Sequence, residues 1–200
     1  MEDQREAWNR FYSDNRRPWR GIPRYDLPFP KGSRILEVGC GGGKTAKALM
    51  EEGYSVVGVD FSEEAVSECA SRLGIEAVCA GVCDLPFGDG EFDGVSLVHV
   101  TEHLGPGERS LAASEILRVL RSGGAVFLRT FSEGDQRESK GIRTGDGAVI
   151  RGNGIAYTYA DADGIREMFS DFREERFDIV SETTRYGAER RRIEAVFVKP

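Results

Sequence analysis

The sequence lacks the segments that would place it in a membrane or in an oxidising compartment. No apolar run approaches the ~18 residues that a membrane-spanning helix needs. The N-terminus, Met1–Glu6, is too charged for a secretory signal, so we expect a cytoplasmic location. None of the four cysteines belongs to a Cys-x-x-Cys pair, which favours reduced and mostly buried thiols.

The sequence also lacks an excess of positive charge. Its formal net charge is −7, which argues against an extended nucleic-acid surface, so we expect a small-molecule partner and neither nucleic acid nor membrane. The run 190–192 of three arginines is a local exception. Because it precedes a predicted strand, we expect a solvated turn there rather than a phosphate site. The length fits a monomer or homodimer built on one main domain.

Apolar patterns predict an alternation of strands and helices. Such an alternation indicates a Rossmann-like, doubly wound α/β sheet, mostly parallel, with helices on both faces. Only a turn separates the last two strands, which predicts an antiparallel hairpin and hence a mixed seven-stranded sheet. Strands are expected at 33–39, 55–60, 76–80, 92–98, 125–130, 177–184 and 193–199, and helices at 2–15, 44–52, 63–73, 108–120 and 161–169.

Two segments fall outside this alternation. Residues 1–31 contain the first helix and an aromatic-rich leader, so the main domain is expected over 32–200. Residues 132–157 are rich in glycine and charge and follow the C-terminal end of a strand, where ligands bind in open α/β folds. A loop this long in a compact domain is usually a lid or disordered, and we favour a substrate lid.

The most informative feature is a glycine-rich turn between two apolar segments. The first segment, 34–38, runs into Gly39, Gly41 and Gly43, and the second ends in Asp60. This order indicates a strand, a tight turn that exposes backbone to a ligand, a helix N-terminus, and an acid placed to bind ribose hydroxyls. We therefore expect a cofactor that contains a nucleoside.

Two familiar nucleotide-binding patterns fit these glycines poorly. A dinucleotide fingerprint would place its last glycine at Lys44, whose long side chain would obstruct close helix–strand packing. A P-loop would begin at Val38, or would be one residue short if counted from Gly39.

A third pattern fits without change. Glu37-x-Gly39-x-Gly41-x-Gly43 resembles the first motif of class I S-adenosylmethionine-dependent methyltransferases, of the small-molecule type with a type 11/25-like domain. Later segments resemble further motifs of that family in the same order. They are the second-strand acidic motif at 57–62, the adenine-contact motif at 83–87, the fourth strand at 92–104 and the turn before the fifth strand at 117–124.

The resemblance implies S-adenosylmethionine as cofactor and assigns residues to its amino-acid and ribose parts. Gly39, Cys40 and Gly41 would let the backbone approach the cofactor, since a Cβ on either glycine would collide with it. Glu37 would help to hold the ammonium group, directly or through water. Asp60 would accept hydrogen bonds from the ribose, the alternative being a helix-capping or solvated acid.

Further residues would complete the cofactor site. Phe61 would pack on the adenine, and Asp84, beside Cys83, would accept from its exocyclic amine, unless Asp84 only shapes a turn. Val98 ends the fourth strand beside the expected position of the methyl group. In the leader, Trp19 would cover the sulfonium end, and Arg20 would pair with the cofactor carboxylate or with an anionic substrate, so that the leader caps the site.

His99 is the candidate catalytic residue, because an imidazole titrates near neutral pH and can take a proton from the acceptor. The equal alternative is a polar wall residue. His99-x-x-Glu102-His103 also matches a zinc-protease string, but that motif must lie on a helix. Similar methyltransferases carry E-x-x-E-H here and bind a divalent metal. We expect no metal, with His103 as a structural hydrogen-bonding residue.

The sequence therefore predicts transfer of a methyl group to a nucleophile on a small molecule. The absence of an N-P-P-[YF] tetrapeptide after the fourth strand lowers the expectation of amino-group methylation of bases or amides. The alternatives are a non-catalytic protein that binds S-adenosylmethionine and an NAD-type oxidoreductase. The nucleophilic atom is left open.

Overall fold

The computed structural model describes residues 4–15, 21–145, 147–184 and 187–200. The helices and strands alternate as the sequence predicts through the first two thirds of the chain. In chain order they are α1 Gln4–Asp14, β1 Arg34–Val38, α2 Lys44–Glu51, β2 Ser55–Asp60, α3 Glu63–Leu73, β3 Ala77–Cys79, β4 Phe92–Val98, a 3₁₀ turn Thr101–His103, α4 Pro106–Val119, β5 Leu120–Phe131, β6 Ile142–Arg143, β7 Val149–Ile150, β8 Ala156–Tyr157, α5 Ala162–Met168, β9 Arg173–Thr183 and β10 Glu189–Val198.

Seven of these strands form one mixed sheet in the order β3-β2-β1-β4-β5-β10-β9. The five strands from β3 to β5 are parallel, and β10 runs antiparallel to both β5 and β9. The predicted fold, with its terminal hairpin, is confirmed. The strand order reverses between β1 and β4, and ligands bind beyond the C-terminal ends of strands at such a switch point.

Apolar cores on both faces of the sheet hold this arrangement together. Ile35 and Leu36 are neighbours on β1 whose side chains point to opposite faces, and both are 0% exposed. Leu36 belongs to the core beneath α4 and α5, and Ile35 to the core beneath α2 and α3. A parallel sheet covered by helices on both sides requires strands buried in this way.

Helix ends follow the predicted local chemistry. The Ser62 hydroxyl accepts a hydrogen bond from the Ala65 N–H at the start of α3, and Gly74 ends the helix in the left-handed conformation. Among the helices of the described ranges, none has the length and apolar character to cross a bilayer. All four cysteines are free thiols, although Cys79 is exposed rather than buried.

Two expectations about the second half of the chain are wrong. Residues 190–192 lie in β10 rather than in a solvated turn, and Arg192 is 6% exposed. The segment 132–157 is not a structureless loop, because β6, β7 and β8 pair as a small antiparallel sheet within it. Ile155 and Tyr157 of this segment are buried against Trp8 and Tyr12 of α1. Strands of two residues are too short to give the alternation that identifies a strand.

Candidate active site

A cavity of about 420 Å³ lies at the switch point of the sheet. The turn after β1 and the end of β4 form its floor, α1 and the segment 132–157 cover it, and the beginning of β10 forms one wall. Gly39, Cys40, Gly41, Val98 and His99, all predicted site residues, line it together.

The glycine turn has the backbone shape that the sequence predicts, but the atoms that leave no room for a Cβ there differ from the expected ones. Gly39 and Gly41 have φ angles of 68° and 50°, which only glycine adopts readily. A Cβ on Gly39 would collide with the Val100 side chain, and one on Gly41 with the Tyr12 hydroxyl. The space beside both glycines is therefore limited by protein atoms, whereas we expected the cofactor to be the limit.

Asp60 has a structural task at the end of β2. Its two carboxylate oxygens accept hydrogen bonds from the Gly41 and Ser62 N–H groups, each at 2.9 Å. Burial raises the pKa of Asp60, and these hydrogen bonds act in the opposite direction. A carboxylate has about four lone-pair sites, and the backbone groups of Gly41, Phe61 and Ser62 do not use all of them, so acceptor capacity is left for a ligand hydroxyl.

Glu37 is buried beneath the glycine turn at 1% exposure. Burial raises the pKa of this carboxyl well above its usual range. Its Oε2 has no hydrogen-bond partner among the described residues. An orphaned buried oxygen of this kind suits a cofactor that brings a donor such as an ammonium group.

Neither Glu37 nor Asp60 is on the cavity wall, and the remaining predicted cofactor residues of the described ranges are not there either. Phe61 packs beside α1, the Cys83 thiol lies 3.4 Å from the Glu108 carbonyl oxygen, and Asp84 is exposed. The predicted contacts of Trp19 and Arg20 lie outside the described residues. The adenine contacts of Phe61 and Asp84 therefore stay predictions.

His99 stands at the centre of a hydrogen-bonded group that the sequence did not reveal. Its Nδ1 lies 2.8 Å from Oε1 of Glu102, and Oε2 of Glu102 accepts a hydrogen bond of 2.9 Å from the Thr130 hydroxyl. Glu102 is 2% exposed. Burial alone would raise the pKa of Glu102, but the attraction of His99 and its hydrogen bond hold that pKa below its usual range.

The backbone of His99 is strained. Its φ of 60° is the only positive value among the non-glycine residues of the described ranges. Its N–H donates to the Arg129 carbonyl at 2.8 Å, and its ring lies 4.5 Å from the Phe131 ring. Strain of this kind persists where the surroundings enforce it, and it is concentrated at functional sites.

His103 serves the packing of the cavity wall. Its Nδ1 lies 2.9 Å from the Ala156 carbonyl, and its ring meets those of Trp8 and Tyr157 edge to face. Burial lowers the pKa of His103, which favours the neutral ring. The structural hydrogen bond that we predicted for His103 is present.

Five arginines line the cavity, and the sequence predicted none of them. Arg190 and Arg192 share one face of β10 because side chains alternate along a strand, so Arg191 points away. The segment 132–157 contributes Arg137 and Arg151, and β5 contributes Arg129. The alternation of side chains along β10 is the one sequence signal that could have identified Arg190 and Arg192. It is missed because the strand is predicted to begin at residue 193, whereas it begins at Glu189.

Comparisons with known proteins agree with this architecture. The family model described as "Methyltransferase domain" matches residues 36–128. A demethylmenaquinone methyltransferase of Beutenbergia cavernae is 36% identical over 117 residues, which are 58% of this chain and 48% of that protein. The tRNA (carboxymethyluridine(34)-5-O)-methyltransferase alkbh8 of Xenopus tropicalis is 34% identical over 119 residues, 59% of this chain and 18% of that protein. The chain thus spans about half the length, or less, of these curated relatives.

Solved structures share the fold. A SAM-dependent methyltransferase from Methanosarcina mazei superposes with a TM-score of 0.75 at 21% identity, over 89% of this chain and 99% of the other. The 1,6-didemethyltoxoflavin-N1-methyltransferase of Burkholderia thailandensis, with S-adenosylhomocysteine bound, gives a TM-score of 0.66 at 18% identity, over 85% and 72%.

The sheet order, the glycine turn and the cavity at the switch point define a Rossmann-like nucleoside-binding fold. The family model matches residues 36–128, so this part of the chain is a class I S-adenosylmethionine-dependent methyltransferase domain. The cofactor is accordingly S-adenosylmethionine rather than a dinucleotide.

Proposed function

We propose that the protein transfers the methyl group of S-adenosylmethionine to a nucleophile on a small molecule, with His99 as the general base. The observation that carries this proposal is the 2.8 Å contact between His99 Nδ1 and the buried Glu102 carboxylate, in the cavity that also contains the glycine turn.

The contact with Glu102 sets the tautomer of the neutral His99 ring. A carboxylate only accepts hydrogen bonds, so Nδ1 carries the proton that faces Glu102. Nε2 is then left as the acceptor of a proton from an O–H, N–H or S–H group. Glu102 is a positioning residue, because it fixes the ring and stabilises the imidazolium that forms. Thr130 in turn fixes Glu102.

When bound, S-adenosylmethionine supplies an electrophilic methyl group on a sulfonium. His99 would take the acceptor's proton as the acceptor receives the methyl group. We propose that the orphaned Glu37 oxygen, the 39–41 backbone and the free lone pairs of Asp60 hold the cofactor. Phe61, Cys83, Asp84 and Val98 would complete its site.

We also propose that two segments close the cavity over the reactants. Trp8 and Tyr12 of α1 and Tyr157 of the segment 132–157 already line it. A closed cavity excludes water and leaves the methyl group to be attacked by the aligned acceptor alone. Residues 1–31 would thus cap the cofactor, and residues 132–157 would act as the substrate lid.

A small acceptor suits the site better than a polymer. The relatives' names include both quinone and tRNA methyltransferases, so similarity alone does not choose. His99 lines a cavity whose wall also includes Trp8 and Tyr12 of α1, and the chain carries a net charge of −7. Both features favour a small molecule over RNA.

The experiment has two steps. Thermal unfolding with S-adenosylmethionine or NAD tests the cofactor, and a ligand at a hundredfold over its Kd should stabilise by about 2.7 kcal/mol. Release of S-adenosylhomocysteine is then measured over a panel of small acceptors for the native protein and for His99→Asn. We expect turnover that the variant loses while it keeps cofactor binding. Cofactor binding without any turnover would favour a non-catalytic binding protein.

A further inference from the structure

The cavity is strongly positive although the chain is acidic. Six cationic side chains line it, and Glu102 is the one carboxylate among its lining residues in the described ranges. The net charge of the whole chain is −7, so the concentration of cations here is local. The cationic residues are Lys44, Arg129, Arg137, Arg151, Arg190 and Arg192.

Three of the arginines have acidic partners outside the cavity. Arg129 pairs with Glu194 at 2.8 Å, and Arg192 pairs with Glu182 at 2.8 Å. Arg137 lies 3.9 Å from a carboxylate oxygen of Asp135.

The other two arginines have no such partner. Arg151 donates to the Tyr159 hydroxyl at 2.8 Å and lies 3.9 Å from the centre of the Tyr157 ring. Within the part of the chain that the structure describes, neither Arg151 nor Arg190 forms an ion pair. These two arginines therefore lack a direct ion-pair partner among the described residues, although the pKa of Glu182 is lowered by its hydrogen bond with Arg192 and also by the charge of Arg190.

Several donors of this group are also unused. Nη1 of Arg137 and Nε of Arg151, Arg190 and Arg192 are buried without an acceptor among the described residues. Burial, with the charges of the three neighbouring arginines, lowers the pKa of Arg137. An arginine cannot escape this cost by losing its proton at ordinary pH. An anionic ligand would supply both the missing acceptors and the missing charge.

The group lies beside the proposed base. The Arg137 guanidinium is 4.4 Å from the Phe131 ring centre, and Phe131 lies 4.5 Å from the His99 ring. An anion held here would be one ring away from His99.

We propose that the methyl acceptor is a small molecule with a carboxylate or phosphate group, and that Arg137, Arg151 and Arg190 bind this group. The inference rests on the proposed function, since it names the class of acceptor. A polymer's phosphates do not suit the site, because the Arg137 side chain is only 20% exposed. The cofactor's own carboxylate is a single negative charge and arrives with a sulfonium and an ammonium, so it leaves the cavity positive.

The first test measures binding without turnover. The probes are benzoate, its neutral counterpart benzamide, and inorganic phosphate, titrated calorimetrically into protein saturated with S-adenosylhomocysteine at constant ionic strength. Arg190→Gln removes an unpaired cavity charge, and Arg191→Gln is its matched control on the opposite face of β10. We expect benzoate or phosphate to bind more tightly than benzamide, and Arg190→Gln alone to weaken the anion at least about tenfold.

Two results would overturn the proposal. One is anion binding that is no tighter than benzamide binding, or that responds equally to the two variants. The other is a tenfold loss of S-adenosylhomocysteine affinity in Arg190→Gln, which would assign the arginines to the cofactor carboxylate.

Measurements of turnover distinguish a failure of the anionic-acceptor proposal from a failure of the proposed methyltransferase function. Phenolic acids and their amides serve as acceptors, and we expect turnover of the acids only. Turnover of the amides alone would refute the anionic acceptor but keep the methyltransferase. An absence of turnover over the whole acceptor panel, despite cofactor and benzoate binding, would refute the proposed function and the role of the anion as acceptor, and would leave only an anion-binding site.

Discussion

Replacing Glu102 with glutamine tests how much the buried carboxylate contributes to His99. Glutamine has nearly the shape of glutamate, so the change removes the charge without opening a cavity. The carboxylate touches His99 Nδ1 at 2.8 Å and the Thr130 hydroxyl at 2.9 Å. A hydrogen bond to a charged group contributes about 1.5–3 kcal/mol, which corresponds to about 10- to 150-fold in rate.

We expect Glu102→Gln to lower kcat within that range and to leave the Kd of S-adenosylmethionine unchanged. The loss in kcat should be at the small end of this range if the amide oxygen of the glutamine faces His99 Nδ1. The His99 ring then keeps its tautomer, and only the negative charge beside it is lost. Release of S-adenosylhomocysteine gives kcat at saturating substrates, and calorimetry gives the Kd.

Two further variants complete this test. Glu167→Gln, on the exposed face of α5, is the control for loss of a glutamate charge, and its kcat should be native. Thr130→Val keeps the carboxylate but removes its second hydrogen bond, and should cost about 1 kcal/mol, or about fivefold in kcat. Native kcat in both Glu102→Gln and Thr130→Val would refute the orientation of His99 by Glu102.

Three further perturbations test the cofactor residues and the core. Asp60→Asn should weaken S-adenosylmethionine binding about tenfold, because one hydroxyl acceptor and the charge are lost; unchanged calorimetric affinity would contradict the ribose assignment. The raised pKa of Glu37 means that its contribution to stability is full below 4.5 and is lost as the pH rises through the folded pKa. Glu37→Gln should therefore gain thermal stability relative to the native protein as the pH rises, a trend that a pH series of melting curves will show or disprove. Phe197→Ala, which removes a ring stacked 4.6 Å from Phe169, should cost about 3–5 kcal/mol in denaturant unfolding, and a loss below 1 kcal/mol would mean that this core repacks.

Much of the fold could be predicted because local chemistry and global pattern agree in the first half of the chain. The bounds of β2, β4 and α3 match the expected ones. A serine cap and a left-handed glycine delimit α3, and continuous apolar runs mark strands buried on both faces. The second half gives weaker signals. β9 is mostly exposed at the edge of the sheet, so its start carries no clear apolar pattern.

The candidate site was predictable only where its residues are close in sequence. His99 follows a strand with a clear end, and the glycine turn is contiguous. Thr130 reaches Glu102 across 28 positions of the chain, a contact that exists only because β4 and β5 are paired. The orientation of Arg190 and Arg192 likewise depends on the register of β10, and one residue of error would have pointed them away.

Net charge gave no sign of the cationic cavity, because charge summed over a chain does not describe how the charges are distributed within it. Half of the buried polar atoms without partners in the described ranges belong to Glu37 or to the cavity arginines. The strained His99 lies among them. Each of these features costs stability in the free protein. Because these features are concentrated around one cavity, bound ligands should offset the loss of stability that they cause in the free protein. A cofactor ammonium near Glu37 and an anion near Arg190 should therefore stabilise the protein more together than the sum of their separate effects, since each charge also attracts the other.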